Sequence, residues 1–272
     1  MDYETIGATL LLAMALSQDA FAALPIPITF SGVGGNNTSV TAGSANAAKN
    51  AFLASIGGAD NGNGTGPHAT GFRSISWDGV PDALATPHLL PGNYFNTTSP
   101  RGVLLLTPGT GVEVSASTVS TLALNFGNIN STYTANFPAF SPERVFAPID
   151  SNIVQVYFFQ PGTNQPAMVQ GFGAVFKDVE LANTTSIRFF AIDGSDLGKY
   201  FVPTGSSGQA EFFGALFAPT DPPIGHVVIN LGTETLGQFV DENLPASVEL
   251  VVMDDMVFAE PHADEIFGDG FD

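Results

Sequence analysis

From residue 149 to residue 260 the chain keeps one rhythm: short apolar runs cut at regular intervals by Gly, Pro, Asn or Asp. IDSNIVQVYFFQPG, GFGAVFKDVEL, TSIRFFAIDG, GKYFVPTG, AEFFGALFAP, GHVVINLG and VELVVMDDMVFAE each have the length and β-branched or aromatic content of one strand. Regular short strands with turns between them imply an all-β sandwich. Upstream, RSISWDGVPD begins a strand, and RGVLLLTPGTGVEVSA supplies two more around Pro108-Gly109. Residues 116–148 are rich in Phe and Pro, which suits edge or connecting strands covering a sheet. Only 44–56, SANAAKNAFLASI, reads as a helix, with Ala47, Ala48, Ala51, Phe52 and Ile56 on one face and Gly57-Gly58 ending it. The Asp-, Asn- and Gly-rich stretch 58–71 reads as a flexible loop.

The 272 residues are 44% hydrophobic and only 12% charged, enough for one large core and too little for heavily solvated helices. The expected organisation is a signal peptide at 1–23, a strand, helix and loop at 24–72 packed on the sandwich, the sandwich at 73–261, and an acidic tail at 262–272. The leader rests on the apolar run 6–16 followed by Ala20, Phe21 and Ala22, although its first residues are acidic where basic ones are usual. It is too short to span a bilayer, and no other segment is long and apolar enough to do so. A formal charge of −19 argues against nucleic acid and anionic lipid, both of which need a positive footprint. With no cysteine there are neither disulfides nor thiolate sites. The expected location is therefore secreted or cell-surface.

One stretch conflicts with the sandwich pattern. In VELVVMDDMVFAEP, Asp254 and Asp255 stand where a core strand should be apolar. Strand neighbours point to opposite faces, so at most one of the two can reach solvent while the other needs a partner. The chain has seven Lys and Arg, so a bound cation is one candidate; the alternative is that one Asp faces solvent while the other caps a turn or accepts backbone N–H bonds.

SISWDGVPD, NYFNTTSPRGVLLLTPGTGVEVS, FSPERVFAPIDSN, GFGAVFKDVEL, FFGALF and VVMDDMVFAEP together resemble a family of bacterial secreted proteins of unassigned activity, many with a C-terminal sorting signal. The resemblance covers about residues 73–260, and the ending IFGDGFD is similar to a short IFxDGFE terminus of such proteins. It implies a jelly-roll sandwich of the galactose-binding-like type, in which an acidic residue of the last strand helps to hold a structural calcium near the first. Asp254 or Asp255 would then meet Asp78, or the loop at Asp60, Asn61 and Asn63. The family offers no agreed catalytic residues.

Other chemistries have little support in the sequence. The four histidines are scattered, no His-x-x-His or His-Glu-x-x-His occurs, and no Gly-x-Ser-x-Gly elbow is present. The residue twelve positions into the Asp60 loop is Gly71, not the Glu of an EF-hand. Trp77, Tyr94 and Tyr133 are candidates for stacking on a sugar ring, though each also suits a core. The expectation is a calcium-stabilised module that recognises an extracellular glycan or matrix polymer. One alternative is a polysaccharide hydrolase using paired carboxylates among Asp78, Asp82, Glu113 and Glu143. Another is a non-catalytic subunit that self-associates through strand edges or its tail.

Overall fold

A computed structural model describes residues 24–237 and 247–263. The expected leader, and all of the tail except His262 and Ala263, lie outside the described residues. In chain order the strands are β1 (Ile28–Val33), β2 (Phe72–Ile75), β3 (Val103–Leu106), β4 (Gly111–Val114), β5 (Phe146–Ile149), β6 (Ile153–Phe158) and β7 (Ala167–Met168). They continue as β8 (Gly171–Lys177), β9 (Ser186–Ala191), β10 (Asp196–Phe201), β11 (Ala210–Leu216), β12 (Ile224–Asn230), β13 (Val252–Ala259) and β14 (His262–Ala263). One twelve-residue helix, α1 (Ala45–Ile56), is joined by two single turns, α2 (Tyr94–Thr97) and α3 (Tyr133–Asn136). None of the described helices is long and apolar enough to cross a membrane.

Every ladder between strands is antiparallel. The first sheet runs β1–β11–β8–β13–β5–β4, with β2 also paired to β13, and the second runs β10–β9–β12–β6–β3. A shared core of Val, Ile, Phe and Met from both sheets lies between their inner faces. In β6 the alternation is complete: Val154, Val156 and Phe158 are buried, while Ile153, Gln155 and Tyr157 are partly exposed. The outer face of the first sheet is covered as well. Over one half lies α1, through Ala45 and Phe52, together with Phe140; over the other lie Phe126, Tyr133 and Phe137. Strand β13 is consequently buried on both faces along its whole length.

Helix α1 starts where the sequence places it. The Ser44 hydroxyl accepts from the Ala47 amide at 3.2 Å, and Gly57, at φ 78°, ends the last turn. The packed face is Ala45, Ala48, Phe52 and Ile56, whereas Ala51 is exposed. The helix lies close on β1 because residue 32 is glycine, where a Cβ would fall 2.3 Å from the Ser44 carbonyl oxygen. Residues 24–72 therefore do more than pack on a finished sandwich: β1 is an edge strand of the first sheet. Pro25 and Pro27, which lack N–H donors, precede it, and Leu24, Ile26 and Ile28 beside them are exposed.

The 58–71 loop departs from the expectation of a flexible segment. Arg73, fully buried in β2, donates from Nη1 to the carbonyls of Gly62 (3.0 Å), Gly64 (2.8 Å) and Pro100 (3.0 Å), and it pairs through Nε and Nη2 with both oxygens of Glu260. Glu260 in turn accepts from Asn61 and from the His68 amide. Glycines there let the chain curl its carbonyls toward one guanidinium.

Candidate ligand-binding face

The paired aspartates do not alternate. Strand β13 pairs Met253 with Phe176 and Met256 with Ala174, so three steps on one strand match two on the other. This is a β-bulge at Asp254 and Asp255, and Met253 and Met256, three apart, both reach the inner core because of it. The bulge turns both carboxylates toward the same partner: the Ser141 hydroxyl lies 2.9 Å from Asp254 Oδ1 and 2.8 Å from Asp255 Oδ1. Asp254 also accepts from the Phe140 amide at 2.6 Å, and Asp255 pairs with Lys49 of α1 at 2.5 Å. Burial, then the nearby charge of Asp255, holds the Asp254 carboxyl well above its ordinary value.

Of the four aspartates expected to hold calcium, Asp78 lies close enough to feel the charge of Asp255, and each has protein partners of its own. Calcium needs six to eight oxygen ligands, roughly, with free lone pairs. Here Asp78 accepts from the amides of Glu143 (2.6 Å) and Arg144 (3.1 Å), while Asp60 bonds Ser74 and the Gly62 amide and shares no partner with the other three. The Lys49 ammonium supplies the positive charge at Asp255. Among the described residues no three His, Cys, Asp or Glu side chains are placed to hold a metal ion.

The three aromatic candidates are core residues. Trp77 stacks on Phe146 with centroids 4.3 Å apart and donates its indole N–H to the Asp254 carbonyl; it is 1% exposed. Tyr94 and Tyr133 are buried too, at 6% and 0%, so none of the three presents a ring to a ligand. The hydrolase candidates fare no better. Asp82 is tied to Arg144 at 2.6 Å, Glu143 accepts from the Thr118 amide, and none of the four carboxylates lines the three grooves of 450–600 Å³. The one carboxylate that does, Glu260, is committed to Arg73.

Solvent-facing aromatics occur instead on the outer face of the second sheet. In register across β6, β12 and β9 stand Tyr157, His226 and Phe190. Their rings stack with centroids 4.9 and 4.6 Å apart and planes within 9° and 3° of parallel. The Arg188 guanidinium, 5.2 Å from the Phe190 centroid, extends the pile. The next row is Gln155, Val228, Arg188 and Lys199, and all of these side chains are partly or fully exposed. Phe201 is 42% exposed, with the Lys199 ammonium 4.8 Å from its ring centroid.

The stack offers solvent its ring edges and polar tips. The Tyr157 hydroxyl donates to Gln155 at 2.9 Å, and burial holds the His226 imidazole below its ordinary value, hence neutral at neutral pH. At one end, where the β6–β7 connection passes β9 and β12, a groove of about 600 Å³ is lined mainly by Tyr157, Phe159, Gln165, Pro166, Ile192 and His226. An apolar lining with a few hydrogen-bonding groups suits a ring-shaped, hydroxylated ligand.

Sequence reasoning missed this face, although its signal was present. Tyr157, His226 and Phe190 occupy the positions out of phase with the buried Val156, Val227 and Phe189. No protein-family model matches the chain, and no curated protein is similar to it.

Proposed function

We propose that the protein is a secreted, non-catalytic module that binds an extracellular glycan or matrix polymer on the outer face of its second sheet. The observation that carries this reading is an asymmetry among the described residues: one sheet has its outer face covered by α1 and the Phe-rich segment, while the other leaves aromatic side chains uncovered beside a groove. An antiparallel sheet facing only water ordinarily alternates to polar residues, and solvent-facing aromatic clusters mark binding surfaces. The reading does not depend on a calcium ion; Lys49 and backbone amides partner the acidic corner.

A jelly roll is the architecture we favour. Counting eight strands from β5 and leaving out β7, the order β5–β13–β8–β11 against β6–β12–β9–β10 is 1-8-3-6 against 2-7-4-5, the doubly wound pattern of two Greek keys. This agrees with the resemblance to secreted jelly-roll proteins.

The test is retention of the full chain on a panel of immobilised neutral and acidic polysaccharides. Tyr157→Ala and His226→Ala each remove partly exposed ring surface and leave the core intact, so each is expected to weaken retention about tenfold while the protein stays folded, with only the modest stability loss of a broken cross-strand ring pair. Retention by both variants equal to that of the parent protein contradicts the reading.

A further inference from the structure

We propose that the polymer bound on this face carries carboxylate groups, with Lys199 and Arg188 as their counter-charges. The inference rests on the face being the binding surface, and it begins with where the chain places its cations. All seven Lys and Arg are among the described residues, set against 26 Asp and Glu in the whole sequence. Five are used inside. Lys49 holds Asp255, Arg73 holds Glu260 and three loop carbonyls, and Arg144 holds Asp82 and the Ser115 carbonyl. Arg101 donates to the Ser74 carbonyl, and the buried Lys177 to that of Gly208.

The remaining two, Arg188 and Lys199, are the exposed cations of the protein, and they are direct cross-strand partners on the aromatic face. Arg188 gives Nε and Nη2 to Asp196, at 3.2 and 2.7 Å, which leaves Nη1 free of described partners. Lys199 makes no hydrogen bond or ion pair with any described residue, and its ammonium lies over Phe201. In so acidic a chain the ordinary fate of a surface lysine is a nearby carboxylate. One left without it, beside an arginine and three stacked rings, is positioned for a carboxylate from outside.

The net charge of −19 does not prevent this. At physiological ionic strength charges more than about 8 Å apart are largely screened, so the local pair governs contact. Tyr157 and Lys199 stand on strands three apart in the sheet, roughly 14 Å, so a polymer of uronic acids matches the site in both respects: one ring lies against Tyr157 and His226 while the carboxylate of another residue reaches Lys199.

Binding of polygalacturonate fragments by the full chain, compared with the same fragments after reduction of their carboxyls to neutral alcohols, tests the assignment. The acid form is expected to bind more tightly and to weaken with added salt. Lys199→Gln should cost about two- to fivefold on the acid form, the range of one exposed ion pair, and nothing on the reduced form, while Lys199→Arg keeps the parent affinity. Equal binding of the two forms, lost in Tyr157→Ala, overturns the charge assignment and leaves the binding face standing. Binding of neither, with the wider polysaccharide panel also blank, overturns both.

Discussion

Replacing Arg73 by alanine is expected to destabilise the fold by about 3–5 kcal/mol, the range for removing one partner of a buried ion pair. Arg73 and Glu260 are 0% and 2% exposed, and the pair is bidentate, at 2.8 and 2.7 Å. Without the guanidinium, the Glu260 carboxylate stays behind almost fully buried and without its counter-charge. The same change removes the donor for the carbonyls of Gly62, Gly64 and Pro100, so amide hydrogen exchange through 58–71 should accelerate as well. A double variant, Arg73→Met with Glu260→Leu, separates the two effects. It should recover much of the lost stability, because no charge is stranded, yet keep the fast exchange, because the carbonyls still lack their donor. Slow exchange in the double variant would show that the loop is held by something other than Arg73.

The second large effect is a dependence on pH. Glu211 is fully buried; its Oε2 accepts from the Val179 amide at 3.3 Å, and Oε1 has no hydrogen-bond partner among the described residues. Burial, only partly offset by that amide and by Lys177, pushes its carboxyl from 4.5 up to about 8. Between those values the folded protein keeps a proton that the unfolded chain has lost, so stability must fall as pH rises through the window. A displacement of that size sets an upper limit of about 5 kcal/mol. Asp254, raised for the same reason, contributes in the same direction. Lys177, lowered by burial, contributes in the opposite sense over a window ending at its ordinary 10.5. Glu211→Gln mimics the neutral carboxyl at every pH. Denaturant unfolding at about pH 5 and about pH 9 should show the variant losing clearly less stability between the two than the parent protein does. Parallel losses would mean that Glu211 titrates normally.

Much of the scaffold was legible in the sequence. Val154, Val156 and Phe158, like Ile187 with Phe189 and Val227 with Ile229, alternate as one-sided strands should, and their burial follows. Ser44 and Gly57 bracket α1 by capping chemistry that is local and therefore readable. What escaped depends on distant partners. Reading Asp254 and Asp255 by strict alternation sends them to opposite faces, and only the register against β8 reveals the bulge that puts both on Ser141. Arg73 and Glu260 are 187 residues apart, and no spacing rule joins them. Trp77, Tyr94 and Tyr133 look no different in sequence from surface aromatics, because a chain with 23 Phe gives each ring many ways to be buried. The scarcity of cations was visible and did limit what could neutralise the acids. It did not reveal that Lys49 reaches Asp255 across 206 residues, or that two cations remain on the surface.

On the proposed function, the uncovered face of the second sheet is the contact surface. The most direct measurement is nuclear magnetic resonance of isotope-labelled protein titrated with fragments of whichever panel polymer is retained most strongly. The account predicts the largest shifts at Tyr157, Phe190, His226 and Gln155, with Lys199 among them for an acidic polymer. Shifts concentrated instead on α1, or around Glu260 and the 58–71 loop, with the second sheet unmoved, would contradict it.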